Sequence, residues 1–146
     1  MNATDQAPSA ASIWPTLLCI DDDPQISEAI QLRLREYEVN VLCGYHGTHG
    51  FWLAMSERPD LIIMDMRMPQ GPGEYIVECL RNNSDTQHIP VIVLTGQRGA
   101  DVIQKVRQLD VQAFLTKPVL FEQLLAVIKQ FISLRPQEKE PAEMGT

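Results

Sequence analysis

LLCIDDDPQ, residues 17–25, runs from four apolar residues straight into three aspartates and a proline. A short continuous apolar run suits a strand buried on both faces of a parallel sheet, where neither side has to meet water. Pro24 then stands just inside the start of a helical pattern, and Asp23 is placed to cap it. The stretch therefore reads as strand, acid cluster, helix. Asp21 and Asp22 are left over, two carboxylates side by side at a strand end, where mutual repulsion costs stability.

Working outward, four more apolar runs follow: VNVLCGY (39–45), DLIIMD (60–65), PVIVLT (90–95) and the weaker VQAFLT (111–116). The segments between them carry helical spacing. Ile26, Ile30, Leu34 and Tyr37 recur every three or four residues, as do Val102, Ile103, Val106 and Leu109, and Phe121, Leu124, Leu125 and Ile128. Residues 47–58 and 72–82 are helical by period as well. Five strand–helix alternations predict an α/β fold, a doubly wound five-stranded parallel sheet with helices on both faces. The expected domain spans residues 14–134. Residues 1–13 and 135–146 are polar and Pro-rich and are expected to be flexible segments.

The 146 residues carry a net charge of −7, with 45% hydrophobic and 21% charged residues, which fits one soluble globular unit. A negative balance argues against non-specific binding to nucleic acid or to an anionic membrane. No apolar run reaches the roughly 20 residues of a membrane span. The first twelve residues have no Lys or Arg and no apolar stretch, so they do not read as a signal peptide. Cys19 and Cys43 sit in strand-like runs and read as buried, inert thiols, so a cytoplasmic location is expected. His46 and His49, in GYHGTHG, lack a further His or Cys to complete a metal site and read as loop residues. Trp52 leaves two readings open, a half-buried aromatic or a partner contact.

In doubly wound sheets ligands bind beyond the carboxyl ends of the strands. Asp21 and Asp22 follow the first strand, Asp65 ends the third, Thr95 ends the fourth and Lys117 follows the fifth. Two like charges about 4 Å apart cost on the order of 4 kcal/mol at an effective dielectric of 20. A hard divalent cation removes that cost, and Mg²⁺ takes one or two carboxylates, waters and phosphate oxygens. Asp65 is then the natural nucleophile for a phosphoryl group. Lys117 would supply a point charge and Thr95 a hydroxyl to the phosphoryl oxygens.

IDDDP, MDMRMP, VLTG and FLTKP, in that order at four strand ends, resemble the receiver domain of bacterial response regulators. The separations agree: 43 residues from Asp22 to Asp65, 30 to Thr95 and 22 to Lys117. The resemblance covers residues 15 to 134. It implies the flavodoxin-like strand order 2-1-3-4-5, and Asp65 as acceptor of a phosphoryl group from a histidine kinase or histidine phosphotransfer protein. Asp22 would bind Mg²⁺ (Mn²⁺ as the alternative ion) directly and Asp21 mainly through water, with Asp65 and the backbone carbonyl of Arg67 as further ligands. The Lys117–Pro118 bond would be cis. Thr95 and Phe114 would act as the switch, remodelling the face of the fourth helix, fifth strand and fifth helix for a downstream protein. A homodimer would use that same face, near Leu109 and Leu120.

About fifteen residues follow Phe131, fewer than a DNA-binding or catalytic output domain needs, so if the chain is whole a stand-alone receiver is expected, with no direct nucleic-acid or membrane contact, and the segment from Arg135 reads equally as a linker cut short. The receiver would modify only itself. Two other readings stand beside this one: a binding module that keeps the acidic pocket without phosphate, and a Mg²⁺-dependent phosphohydrolase. Arg67 stands where haloacid dehalogenase-type phosphatases carry a second acid. Departures from the receiver pattern are Phe114 in place of a common tyrosine, Pro72 for an aspartate, no Gly-Ala before the fifth strand, and Leu120 at a capping position. Arg67 and Gln97 lie two residues beyond Asp65 and Thr95, where receivers tune how long the phosphoryl group survives.

Overall fold

The computed structural model describes residues 13–68, 70–97 and 99–138. Strands β1 (Thr16–Ile20), β2 (Asn40–Gly44), β3 (Leu61–Met64), β4 (Val91–Thr95) and β5 (Ala113–Thr116) alternate with helices α1 (Pro24–Arg33), α2 (Gly47–Glu57), α3 (Gly73–Arg81), α4 (Ala100–Arg107) and α5 (Phe121–Ile128). The strands form one parallel sheet in the expected order β2-β1-β3-β4-β5. Reversal of strand order between β1 and β3 puts a crevice at their carboxyl ends.

The period-two alternation of strand side chains sorts the core into two layers. Leu18, Ile20, Ile62, Met64, Val91 and Val93 pack on one side with Ala54 of α2, Ile76, Val77 and Leu80 of α3 and Val106 of α4. Leu17, Cys19, Leu61, Ile63, Ile92 and Leu94 pack on the other, with Ile30 of α1 and Leu124 and Ile128 of α5. Continuous apolar runs were needed because both faces are covered.

Asp23 caps α1 as its position predicts, its carboxylate accepting the Gln25 N–H at 2.9 Å. The helix is shorter than its apolar period. It stops at Arg33, tightens into a 3-10 turn over Leu34–Glu36, and is extended by Tyr37. Tyr37 donates its N–H to Leu34 O at 3.0 Å, closing a three-residue ring, while Leu34 keeps its place in the core. His46 is not a plain loop residue. Its Nδ1 accepts the His49 N–H at 3.2 Å and caps α2, so His49 lies in the first helical turn. Trp52, on the outer face of α2, is 63% exposed.

Gly50 brings α2 down onto the end of β1. A Cβ there would stand 2.6 Å from two carbons of the Ile20 side chain, so only hydrogen fits. Cys19 and Cys43 face each other across β1 and β2, and burial raises both thiols. Cys43 is only half-buried, because β2 is the edge strand.

Past α5 the chain crosses back to the α1–β2 turn. Arg135 O accepts from Glu38 N at 2.7 Å, Pro136 bridges Tyr37, and Gln137 N donates to Glu36 O at 2.7 Å. The Gln137 side chain adds bonds to Arg35 O and Tyr37 O. The folded unit thus continues beyond Leu134.

Periodicity did not reveal Arg81. This guanidinium, at the end of α3, donates to Asp110 O through Nε (3.1 Å) and Nη2 (2.9 Å), and to Gln87 O and Ile89 O through Nη1. It also reaches Gln112 Oε1, which in turn accepts the Val91 N–H at 2.7 Å. One side chain therefore ties α3 to the segments leading into β4 and β5, where the customary Gly-Ala is missing. A lysine lacks the planar fork that makes these bonds. Arg81→Lys is expected to destabilise the protein by about 2–3 kcal/mol, read as a lower denaturation midpoint in urea. A midpoint equal to wild type would show that the fork contributes nothing.

Candidate functional site

The backbone brings the four strand ends into register before any side chain acts. Asp65 N donates to Ile20 O at 3.0 Å, Asp21 N to Gly44 O at 3.0 Å, and Lys117 N to Thr95 O at 2.8 Å. Gly73 opens α3 against the end of β3. A Cβ at that position would come within 2.8 Å of Met66 Cα and 3.0 Å of Asp65 O. Gly73, the second glycine of QGPGEY (residues 70–75), is thus a packing requirement of the Asp65 backbone.

Asp21, Asp22 and Asp65 each offer a carboxylate oxygen, and the three lie within 4.8 Å of one another. Asp21 and Asp65 are buried and Asp22 is exposed at the rim. Lys117 reaches in from the far side, its Nζ 2.7 Å from Asp21 Oδ2 and 3.3 Å from Asp65 Oδ2. The Lys117–Pro118 bond is cis, as expected. Asp21 Oδ1 also accepts the Asp23 N–H at 2.9 Å, and Asp65 Oδ1 the Arg67 N–H at 3.3 Å.

Burial pushes the Asp21 carboxyl above its usual range, and the Lys117 ammonium and the Asp23 N–H oppose that shift only in part. Burial alone would depress the Lys117 ammonium. The hydrogen bond and charge of Asp21, with the charge of Asp65, outweigh it and raise the group, so Lys117 stays protonated. Three carboxylates facing one ammonium leave two negative charges in excess. A hard divalent cation is the species that matches an oxygen-only donor set with that deficit.

Thr95 is fully buried, lines the same cleft, and accepts the Gln97 N–H on its hydroxyl at 3.2 Å. Phe114 is not in the cleft. It is half-buried in β5, opposite Val93, and packs on the α2–α3–α4 side of the sheet. Arg67 and Gln97 meet over the rim. With the carboxamide oxygen turned to the guanidinium, it accepts from Nε at 2.9 Å and Nη2 at 2.8 Å. The two positions were marked by their distance from Asp65 and Thr95, but their pairing was not. The cleft these residues share holds about 620 Å³.

A doubly wound parallel sheet with an acidic pocket and a lysine at its carboxyl edge defines a class of α/β domains that take their ligands at that edge. Within that class, the family model described as "Response regulator receiver domain" matches residues 17–129, and the chain belongs to that family. Its members are phosphorylation-controlled signalling domains rather than enzymes acting on external substrates. The chain is 33% identical over 120 residues to the Synechocystis protein named "DNA-binding dual master transcriptional regulator RpaA", covering 81% of this chain and 49% of that protein. It is 32% identical over 124 residues to "Response regulator ArlR" of Staphylococcus saprophyticus, covering 84% and 54%. It therefore spans about half the length of these curated relatives.

Among solved structures, the receiver domain of HemR from Leptospira biflexa superposes with a TM-score of 0.72 at 25% identity, over 86% of this chain and 99% of that one. The chemotaxis protein CheY4 of Vibrio cholerae gives 0.75 at 24%, over 82% and 99%, and shows the shared fold. Among the described residues no helix is long and apolar enough to cross a membrane.

The charge imbalance predicts two opposite effects in the absence of divalent cations. Lys117→Met strands two buried carboxylates and is expected to destabilise the protein by about 2–3 kcal/mol, part of which added Mg²⁺ restores. Asp22→Ala relieves repulsion and is expected to stabilise it by about 0.5–1 kcal/mol at low salt. Thermal unfolding in a chelator reads both. A lower midpoint for Asp22→Ala would contradict the repulsion argument.

Proposed function

We propose that the chain is a signalling switch in which Mg²⁺-dependent transfer from a histidine kinase or phosphotransfer protein places a phosphoryl group on Asp65. The carrying observation is the meeting of Asp21, Asp22 and Asp65 within 4.8 Å, with Lys117 bridging two of them.

An Asp65 carboxylate oxygen forms the new bond to phosphorus while the phosphorus–nitrogen bond of the donor phosphohistidine breaks. The imidazole keeps the electron pair. Such transfers pass through a loose transition state, so positioning and neutralisation of the equatorial oxygens do most of the work. Asp21, Asp22, Asp65 and the Arg67 carbonyl would hold the Mg²⁺, which supplies positive charge to the phosphoryl oxygens when bound. Lys117 already points its ammonium at Asp65 Oδ2, and takes a phosphoryl oxygen in place of part of that contact. Thr95 gives up the Gln97 N–H and turns its hydroxyl to another. Phe114 follows by packing alone, since it has no hydroxyl to bond, and changes the α4–β5–α5 surface offered to a downstream protein. Hydrolysis of the acyl phosphate returns the resting state.

Beside the rim, Ile26, Ile30, Phe121 and Leu124 line an apolar cavity of about 280 Å³ between α1 and α5, next to Lys117 and Pro118. It offers a phosphodonor protein a surface within reach of Asp65. The DNA binding named for RpaA is said of that protein, and the output proposed for this domain runs through protein contacts.

Acetyl phosphate and Mg²⁺ should add one hydroxylamine-sensitive phosphoryl group to the protein, located at Asp65 by peptide mass spectrometry. Asp65→Asn should remain unmodified with its fold intact, and chelation should suppress labelling of the wild type. Label persisting on the Asn variant would refute the assignment. Sustained phosphate release from varied esters would point to a phosphohydrolase instead.

A further inference from the structure

Arg67 stands at the rim of a pocket lined by four aspartates, yet the ion pairs among the described residues do not include its guanidinium. With its oxygen turned to the guanidinium, the neutral carboxamide of Gln97 is its partner, accepting two bonds of 2.9 and 2.8 Å. The contact joins the loop after β3 to the loop after β4.

Among the described residues no atom lies within 4 Å of where a Cβ would stand on Gly96 or Gly99, so these two positions border open space. Gly99 has a φ of +116°, a conformation other residues rarely adopt. Inward, the Gln97 N–H rests on the Thr95 hydroxyl at 3.2 Å. Gln97 is therefore tied to Arg67 by its side chain and to Thr95 by its backbone.

We propose that the Arg67–Gln97 pair is a latch holding the β4–α4 loop at rest, and that phosphoryl oxygens on Asp65 open it by drawing the guanidinium away from Gln97. This rests on the phosphorylation of Asp65 set out above. A bidentate bond from guanidinium to phosphoryl oxygens is charge-assisted at both ends, and about twice as strong as one to a neutral amide. Arg67 is two residues from Asp65, and its N–H already faces Asp65 Oδ1 at 3.3 Å. Loss of the guanidinium frees Gln97. Its N–H can then leave Thr95, so the hydroxyl is released to turn inward. Arg67 and Gln97 are positioning residues in this account, linking charge on Asp65 to the loop that holds Thr95.

Nuclear magnetic resonance of the full chain tests this, with beryllium fluoride and Mg²⁺ as the phosphoryl mimic. Before any mimic is added, Gln97→Ala and Arg67→Ala should each shift the Gly96 and Gly99 amide signals in one direction. The double variant should go no further than either alone. Beryllium fluoride should move the same wild-type signals that way, and shift the Arg67 Nε–H signal with them. Its apparent affinity should be about tenfold higher for Gln97→Ala, which no longer has a latch to open.

Loop signals in Gln97→Ala that match wild type, additive shifts in the double variant, or an unchanged or weaker affinity would each overturn the latch. So would an Arg67 Nε–H that ignores the mimic while acetyl phosphate labels Asp65, and that result would leave the phosphorylation reading intact. Failure to label Asp65 at all would remove both.

Discussion

The ammonium of Lys117 lies between two buried carboxylates contributed by different strands, 2.7 Å from Asp21 and 3.3 Å from Asp65. Without that bridge the carboxyl ends of β1 and β3 would repel each other at the place where their backbones are bonded. The lysine directly follows β5, two strands away from β3. It reaches the acids because all five strands run parallel and end at the same edge. The bridge neutralises only part of the charge, since Asp22 adds a third carboxylate at the rim. A buried site left under-neutralised carries a deficit of positive charge, the condition under which a hard divalent cation would be favoured.

Around this centre the fold spends its close contacts on placement. Gly50 lets α2 sit on Ile20, the residue before Asp21, and Gly73 lets α3 sit on the Asp65 and Met66 backbone. Arg81 pins the opposite edge, where β4 and β5 begin, through carbonyls that have no strand partner there. The acidic edge is thus framed by closely packed elements, while among the described residues Gly96 and Gly99 beside it border open space. Closely packed acids beside unpacked glycines suit a device in which a local change of charge is to become a change of shape.

The strands and their order of use were legible because burial on both faces leaves an unmistakable apolar run, and Thr16–Ile20 and Val91–Thr95 begin and end within a residue of where their patterns do. Helix limits were less so. The apolar period of α1 carries on to Tyr37, but Leu34 can stay in the core from a tightened 3-10 turn, and no side-chain pattern distinguishes the two. His46 gave a weak signal for a cap, since imidazole is an uncommon capping group, and the histidines were read as loop instead. Residues 135–137 looked like a tail on composition, yet their backbone groups pair with the α1–β2 turn, a contact between segments about a hundred residues apart.

Residue order by itself determined the α/β class, the alternation of elements, and the set of charged groups at the strand ends: Asp21, Asp22, Asp65 and Lys117 with Thr95. Each of these is a local property, written in the apolar run and the residue that follows it. Only the tertiary structure decided which acid the lysine bonds most closely, that Asp21 is buried while Asp22 faces solvent, that Phe114 stands apart from the cleft, and that Arg67 is held by Gln97. Those outcomes depend on distances between segments far apart in the chain, and such distances exist only once the sheet has aligned its strands and packed its helices.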